Sequence, residues 1–69
     1  MQVQLEKSSS LKLEIFDVLG RKVATLTDGI APAGKSEWTW QPEGLPSGLY
    51  FCRATLGRTV RVQKLLLQK

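Results

Sequence analysis

Apolar and polar residues alternate with a period of two along most of the chain, the spacing of strands with one buried face. Val3 and Leu5 alternate with Gln2, Gln4 and Glu6, and Ser8, Ser9 and Ser10 then form a polar break. Leu11, Leu13 and Ile15 share one face of a second strand, with Lys12, Glu14 and Phe16 on the other. Asp17-Val18-Leu19-Gly20 reads as a turn, because Asp accepts hydrogen bonds from the backbone ahead of it and Gly reverses the chain without steric cost. A third strand returns from Arg21 to Leu26. Val23 and Leu26 are three apart, so either this strand bulges or one of them lies at its end.

Residues 27–35, with Asp28-Gly29 and Pro32-Ala33-Gly34, have the composition of a loop. Trp38 and Trp40 fall on one face of a predicted fourth strand, with Glu37 and Thr39 opposite. Pro42, Gly44, Pro46 and Gly48 make the next segment irregular. A fifth strand from Leu49 to Leu56 places Tyr50, Cys52, Ala54 and Leu56 on one face and Phe51 and Arg53 on the other. Gly57-Arg58 closes a hairpin into a last strand, from Thr59 to about Gln68. Val60 and Val62 read as inward at first. Lys64 would follow them, so the pattern predicts a bulge near Lys64 that moves the inward phase to Leu65 and Leu67. Short strands with turn chemistry between them predict an all-β fold, an immunoglobulin-like antiparallel β-sandwich of about six to seven strands.

Composition narrows the functions such a domain can have. The chain has 69 residues, enough for one small domain. Leu, Ile, Val and Phe contribute 20 of them, above the level of about one fifth below which chains stay disordered. There is no histidine and one cysteine, so no Ser-His or Cys-His nucleophile pair, internal disulfide or thiolate zinc site can be assembled. No catalytic residue, metal ligand or cofactor site is expected, and the chain does not read as an enzyme. The apolar runs are far too short to span a bilayer, and Met1-Gln2-Val3-Gln4 does not open a signal peptide. Ten basic against six acidic residues give a net charge of +4. Nucleic acid is a poor candidate partner, because the excess is modest and Glu6, Glu14 and Glu37 are scattered among the strands.

Some features have both a structural and a functional reading. Trp38 and Trp40 form either part of a thin core or a stacking platform for sugars or single-stranded bases. Cys52 shares the phase of Tyr50 and Ala54, which suits a buried, inert thiol. Gly48 lets the chain turn into the fifth strand, where Tyr50 resembles the corner tyrosines that tie a loop to a β-sandwich. Arg53, Arg58 and Arg61 sit on the last hairpin with Lys64. Arg53 and Arg61 on one face would make a basic stripe, either solvated or a landing surface for an acidic partner. Leu65, Leu66 and Leu67 cannot all point inward from a strand. An outward leucine on a terminal edge strand suits a partner that adds a strand there; a covering loop or an edge-strand dimer would also account for it.

Leu13 to Leu26, with its Asp17, Gly20 and Arg21 turn, resembles the opening of the C-terminal sorting domains of type IX secretion cargo. Ala33-Gly34, Trp40 and Gly44-Leu45-Pro46-Ser47-Gly48-Leu49-Tyr50-Phe51 resemble the centre of the same family, and Gln63 to Lys69 its end. Two positions depart from it. Met1-Gln2 stands where an Asn-Pro pair usually precedes the first strand, so the N-terminal edge reads as clipped. Gln41-Pro42 replaces the Asp-Gly that commonly follows the tryptophan. The immunoglobulin-like domain of the flagellar hook-capping protein is a related but less similar family.

The resemblance implies that residues 1–69 are one sorting domain joined to an unknown cargo. The cargo would pass through the periplasm and outer membrane to the cell surface or the medium. The implied partners are the outer-membrane translocon and a sortase-like peptidase. Recognition would rest on Lys64, Leu65, Leu66, Leu67, Gln68 and Lys69, while Asp17, Gly20, Arg21, Trp40, Pro46, Gly48 and Tyr50 would be mainly structural. The rival readings are a structural or oligomerisation module of an extracellular protein and a carbohydrate-binding module using Trp38 and Trp40.

Overall fold

The computed structural model describes residues 2–40, 42 and 44–68. Six strands follow one another: β1 (Gln2–Leu5), β2 (Ser9–Phe16), β3 (Lys22–Ala31), β4 (Gly34–Glu37), β5 (Gly48–Leu56) and β6 (Thr59–Leu67). They form two antiparallel sheets, β1-β4 and β3-β2-β5-β6, the all-β two-sheet arrangement expected of a small sandwich. β2 is central, paired on both sides, and its alternation is the cleanest in the chain. Leu13 and Ile15 have no solvent exposure and Leu11 almost none. With Leu5, Ala31, Tyr50 and Cys52 they make the buried core, against which Val3, Val23, Leu26, Trp38, Trp40, Leu65 and Leu67 pack.

β3 continues through the segment whose composition suggested a loop. Asp28 pairs with Lys12 and Gly29 with Leu11, so the ladder to β2 and an opposite-charge cross-strand pair override the turn tendency of Asp-Gly. The chain then kinks at Pro32-Ala33, and β4 pairs with β1 from Leu5↔Gly34 to Gln2↔Glu37. The fourth strand is therefore Gly34–Glu37, and it ends before the tryptophans. Trp38 and Trp40 lie on an irregular segment, both half-buried against the core. The doubt over Val23 and Leu26 resolves as bulging. Register shifts opposite Leu13/Glu14 and Ile15/Phe16 leave each of the two residues as an extra position in β3, and both pack on the core.

No such shift occurs in β6. Its pairing with β5 runs regularly from Leu56↔Thr59 to Gly48↔Leu67. The expected bulge near Lys64 is absent, and with it the inward placement of Val60 and Val62, which are 56% and 63% exposed. The cause is the two-residue loop Gly57-Arg58. Gly57 adopts φ +58°, which suits the first position of a tight hairpin turn. That turn sets the register, and the register sets which side chains share the face of Cys52 and Tyr50. They are Gln63 and Leu65, with Thr59, Arg61 and Leu67 following by alternation.

Candidate functional site

Asp17 organises the β2–β3 turn. Its Oδ1 accepts hydrogen bonds from the backbone N–H groups of Leu19 and Arg21, each at 2.9 Å, and its Oδ2 accepts one from Arg21 Nε at 2.8 Å. Gly20 N–H donates to the Asp17 carbonyl at 3.1 Å, and Asp17 N–H to the Arg21 carbonyl at 3.0 Å. The Arg21 amide, then the guanidinium and the Leu19 amide, hold the Asp17 carboxyl below its ordinary 3.8 against the opposing effect of desolvation. Gly20 sits at φ +82° with open space where a Cβ would project, so only the backbone conformation selects glycine there. The Asp17, Gly20 and Arg21 set is thus a structural device. It leaves Val18 and Leu19 exposed at the tip.

The second tie is Tyr50. Its hydroxyl donates to the Pro46 carbonyl at 2.7 Å, fastening the irregular segment before β5, as the corner-tyrosine reading anticipates. Trp40 meets the Tyr50 ring edge-on, with centroids 5.3 Å apart. The tryptophan rings are half-buried and border a groove of about 290 Å³ with Ile15, Leu26, Pro42 and Leu65–Leu67. They form the rim of the core, an arrangement that does not favour a sugar platform. Cys52 is 1% exposed, and burial pushes its thiol up, so its thiolate is disfavoured.

On the outer face of the larger sheet Glu14 is 3% exposed. Arg53 donates from Nη2 to Glu14 Oε1 at 2.9 Å, and the Lys12 and Lys22 ammoniums each lie 3.7 Å from Oε2. The Arg53 hydrogen bond, with help from the charges of Lys12, Arg53 and Lys22, lowers the Glu14 carboxyl below its ordinary 4.5 despite desolvation. Arg53 also lies 4.7 Å from the centroid of the Phe16 ring. The regular alternation of β2 and β5 already puts Glu14 and Arg53 on their polar faces, but only the pairing of the two strands brings them together. The proposed stripe of Arg53 and Arg61 divides: Arg53 stands opposite Val62, whereas Arg61 stands opposite Ala54 on the other face. Arg58 is exposed at the hairpin tip.

Of the tail, Lys64, Leu66 and Gln68 are exposed and Leu65 and Leu67 half-buried; Lys69 lies outside the described residues, as do Met1 and Gln41. Leu66 is 67% exposed. Among the described residues β6 is the edge of its sheet, hydrogen-bonded to β5 on one side. Among those residues no group of acidic and thiol side chains could hold a metal, and no helix is long and apolar enough to cross a membrane. No curated protein and no solved structure gives a significant match to the chain. A family model described as the secretion system C-terminal sorting domain matches residues 1–68. The chain belongs to that family: it is a C-terminal sorting signal of type IX secretion, which takes its cargo through the outer membrane to the cell surface or the medium.

Proposed function

We propose that the sorting signal works through its last strand, by recognition and without catalysis. The observation that carries this reading is the position of β6, an edge strand among the described residues whose far end, Lys64 to Gln68, turns Leu66 into solvent. An edge strand offers unpaired N–H and C=O groups to a partner strand, and alternating side chains give such a pairing its selectivity. The recognising partner is the outer-membrane translocon, and a sortase-like peptidase then separates the domain from its cargo. Lys64, Leu66 and Gln68 face the partner, while Leu65 and Leu67 keep the strand seated on the core.

Export of a reporter carrying residues 1–69 at its C-terminus tests this in a bacterium with a working type IX system. A second fusion stops at Gln63. Secretion of the first and retention of the second, with the shortened domain still folded, is the expected result. Because the truncation removes Leu65 and Leu67 from the core rim, Leu66→Lys serves as a companion that leaves the core intact. Full export of the folded Leu66→Lys fusion would overturn the assignment to the tail.

A further inference from the structure

The outer face of β6 is patterned opposite to what an isolated sandwich requires. Val60, Val62, Lys64 and Leu66 stand on it together, because the β5–β6 register is unbroken. The three aliphatic residues are 56%, 63% and 67% exposed. Thr59, Arg61 and Gln63, the polar residues of the same strand, take the side of Cys52 and Tyr50 and are exposed as well, because the core there ends at Leu65. Three aliphatic side chains in line on a solvent face of one strand depart from the alternation that β2 and β5 follow, and such local conflicts mark functional surface. The apolar strip continues into β5, where Leu49 pairs with Leu66 and Phe51 with Lys64, and into Phe16 of β2. A hollow of about 360 Å³ lies beside it, between Val62, Phe51 and the Val18 turn.

Charge identifies the occupant. The register places Lys12, Lys22, Arg53 and Lys64 on this face, against the carboxylates of Glu14 and Asp28. Glu14 is buried and its one charge is shared by Lys12, Lys22 and Arg53, so with both carboxylates counted the face keeps an excess of two positive charges toward an arriving acid. Two copies of the face would oppose their cations, which disfavours self-association. We propose that the outer face of β5–β6, centred on Val60 and Val62, docks a partner protein that presents an aliphatic strip edged by carboxylates. The proposal rests on the sorting reading, since this partner is met during export. It adds a second surface to the tail, upstream of Lys64.

The test uses the exported reporter fusion with Val60→Thr and Val62→Thr combined, which keeps side-chain shape and strand propensity while removing the apolar contact. The double variant is expected to melt like the parent and to be secreted about tenfold less, the size of loss that follows from removing two aliphatic contacts. The Val60→Ile, Val62→Ile pair is expected to restore export. Full secretion of the folded threonine variant, with the parent secreted, overturns the proposal and leaves the sorting reading standing. Retention of the parent fusion itself overturns both. Dimerisation of the purified chain in sedimentation, abolished by the threonine pair, would assign the face to a second copy and overturn the proposal. Binding of the parent, but not the variant, to phosphatidylglycerol vesicles would do so in favour of a lipid surface.

Discussion

At the β2–β3 hairpin the Asp17 carboxylate takes up two amides and a guanidinium, and the strand leading into it buries Leu11, Leu13 and Ile15 between two neighbours. At β6 the strand is bonded on one side among the described residues and shows solvent three of its aliphatic side chains. One half of the molecule is satisfied internally; the other is satisfied only in part. In a chain this small, whose core supplies on the order of 3–5 kcal/mol, that division matters. The β2 side holds the fold, which frees β6 to keep an edge and a face for something else.

The sharpest way to break the comparison is to cut the core at its centre. Leu13→Ala removes a side chain with no exposure, at a cost of about 2–5 kcal/mol. That is comparable to the whole stability of the domain, so the variant is expected to be largely unfolded at 37 °C by circular dichroism. The same truncation at Val62, 63% exposed, is expected to change stability by roughly 0.5 kcal/mol or less. Equal losses at the two sites would mean that β6 is as much part of the folding core as β2.

Acid comes next, because it acts on both carboxylates of the satisfied half. Glu14 and Asp17 titrate lower in the folded chain than their ordinary 4.5 and 3.8. Between the folded and unfolded values the unfolded chain binds more protons, so stability rises with pH through that window. The contribution is complete above the ordinary values and is lost as pH falls through the depressed ones. Glu14→Gln is expected to lower stability at pH 7, since Lys12, Lys22 and Arg53 then surround a neutral amide. It is also expected to flatten the acid limb. Urea midpoints at pH 7, 5 and 3 check both effects, and an unchanged slope would show that Glu14 is not held by its cations.

Gly20→Ala is a smaller perturbation of the same hairpin. No atom stands in the way of the new methyl group, so the cost is that of a left-handed backbone, about 1–2 kcal/mol. A melting shift of several degrees with unchanged export is the expected outcome. Loss of export at full stability would instead make the Val18-Leu19 tip part of the recognised surface.

How legible these two halves are in the sequence differs for a physical reason. β2 reads correctly because Leu11, Leu13 and Ile15 follow period two without interruption, and the Asp17 turn reads correctly because its chemistry is local. Cys52 and Tyr50 follow from the same alternation in β5. The tryptophans read as strand because Trp-Thr-Trp has a strand's period, whereas the ladder to β1 ends at Glu37. Asp28-Gly29 has a turn's composition, and only the long-range ladder to Leu11 and Lys12 makes it strand. The error in β6 is the instructive one. Assuming that apolar residues must point inward forced a bulge at Lys64, although the two-residue loop at Gly57-Arg58 dictates the parity of every residue after it. The Glu14–Arg53 contact spans 39 positions and emerges only from the pairing of β2 with β5.

That parity yields the smallest and most discriminating effect. Leu65, Leu66 and Leu67 are chemically identical, so any difference among their threonine variants comes from position alone. Regular pairing turns Leu65 and Leu67 toward the core, where both are half-buried, and Leu66 outward. Leu65→Thr and Leu67→Thr are each expected to cost about 1–2 kcal/mol, a part of the transfer free energy of a fully buried leucine. Leu66→Thr gives up little burial and gains a β-branched side chain, so its change should stay within about 0.5 kcal/mol. Thermal melts of the three variants, with Val60→Thr and Val62→Thr beside them, read the register of the whole strand. The unbroken ladder requires the two valines to group with Leu66. A bulge at Lys64 would group them with Leu65 and Leu67, and would return to the core the apolar face on which docking depends.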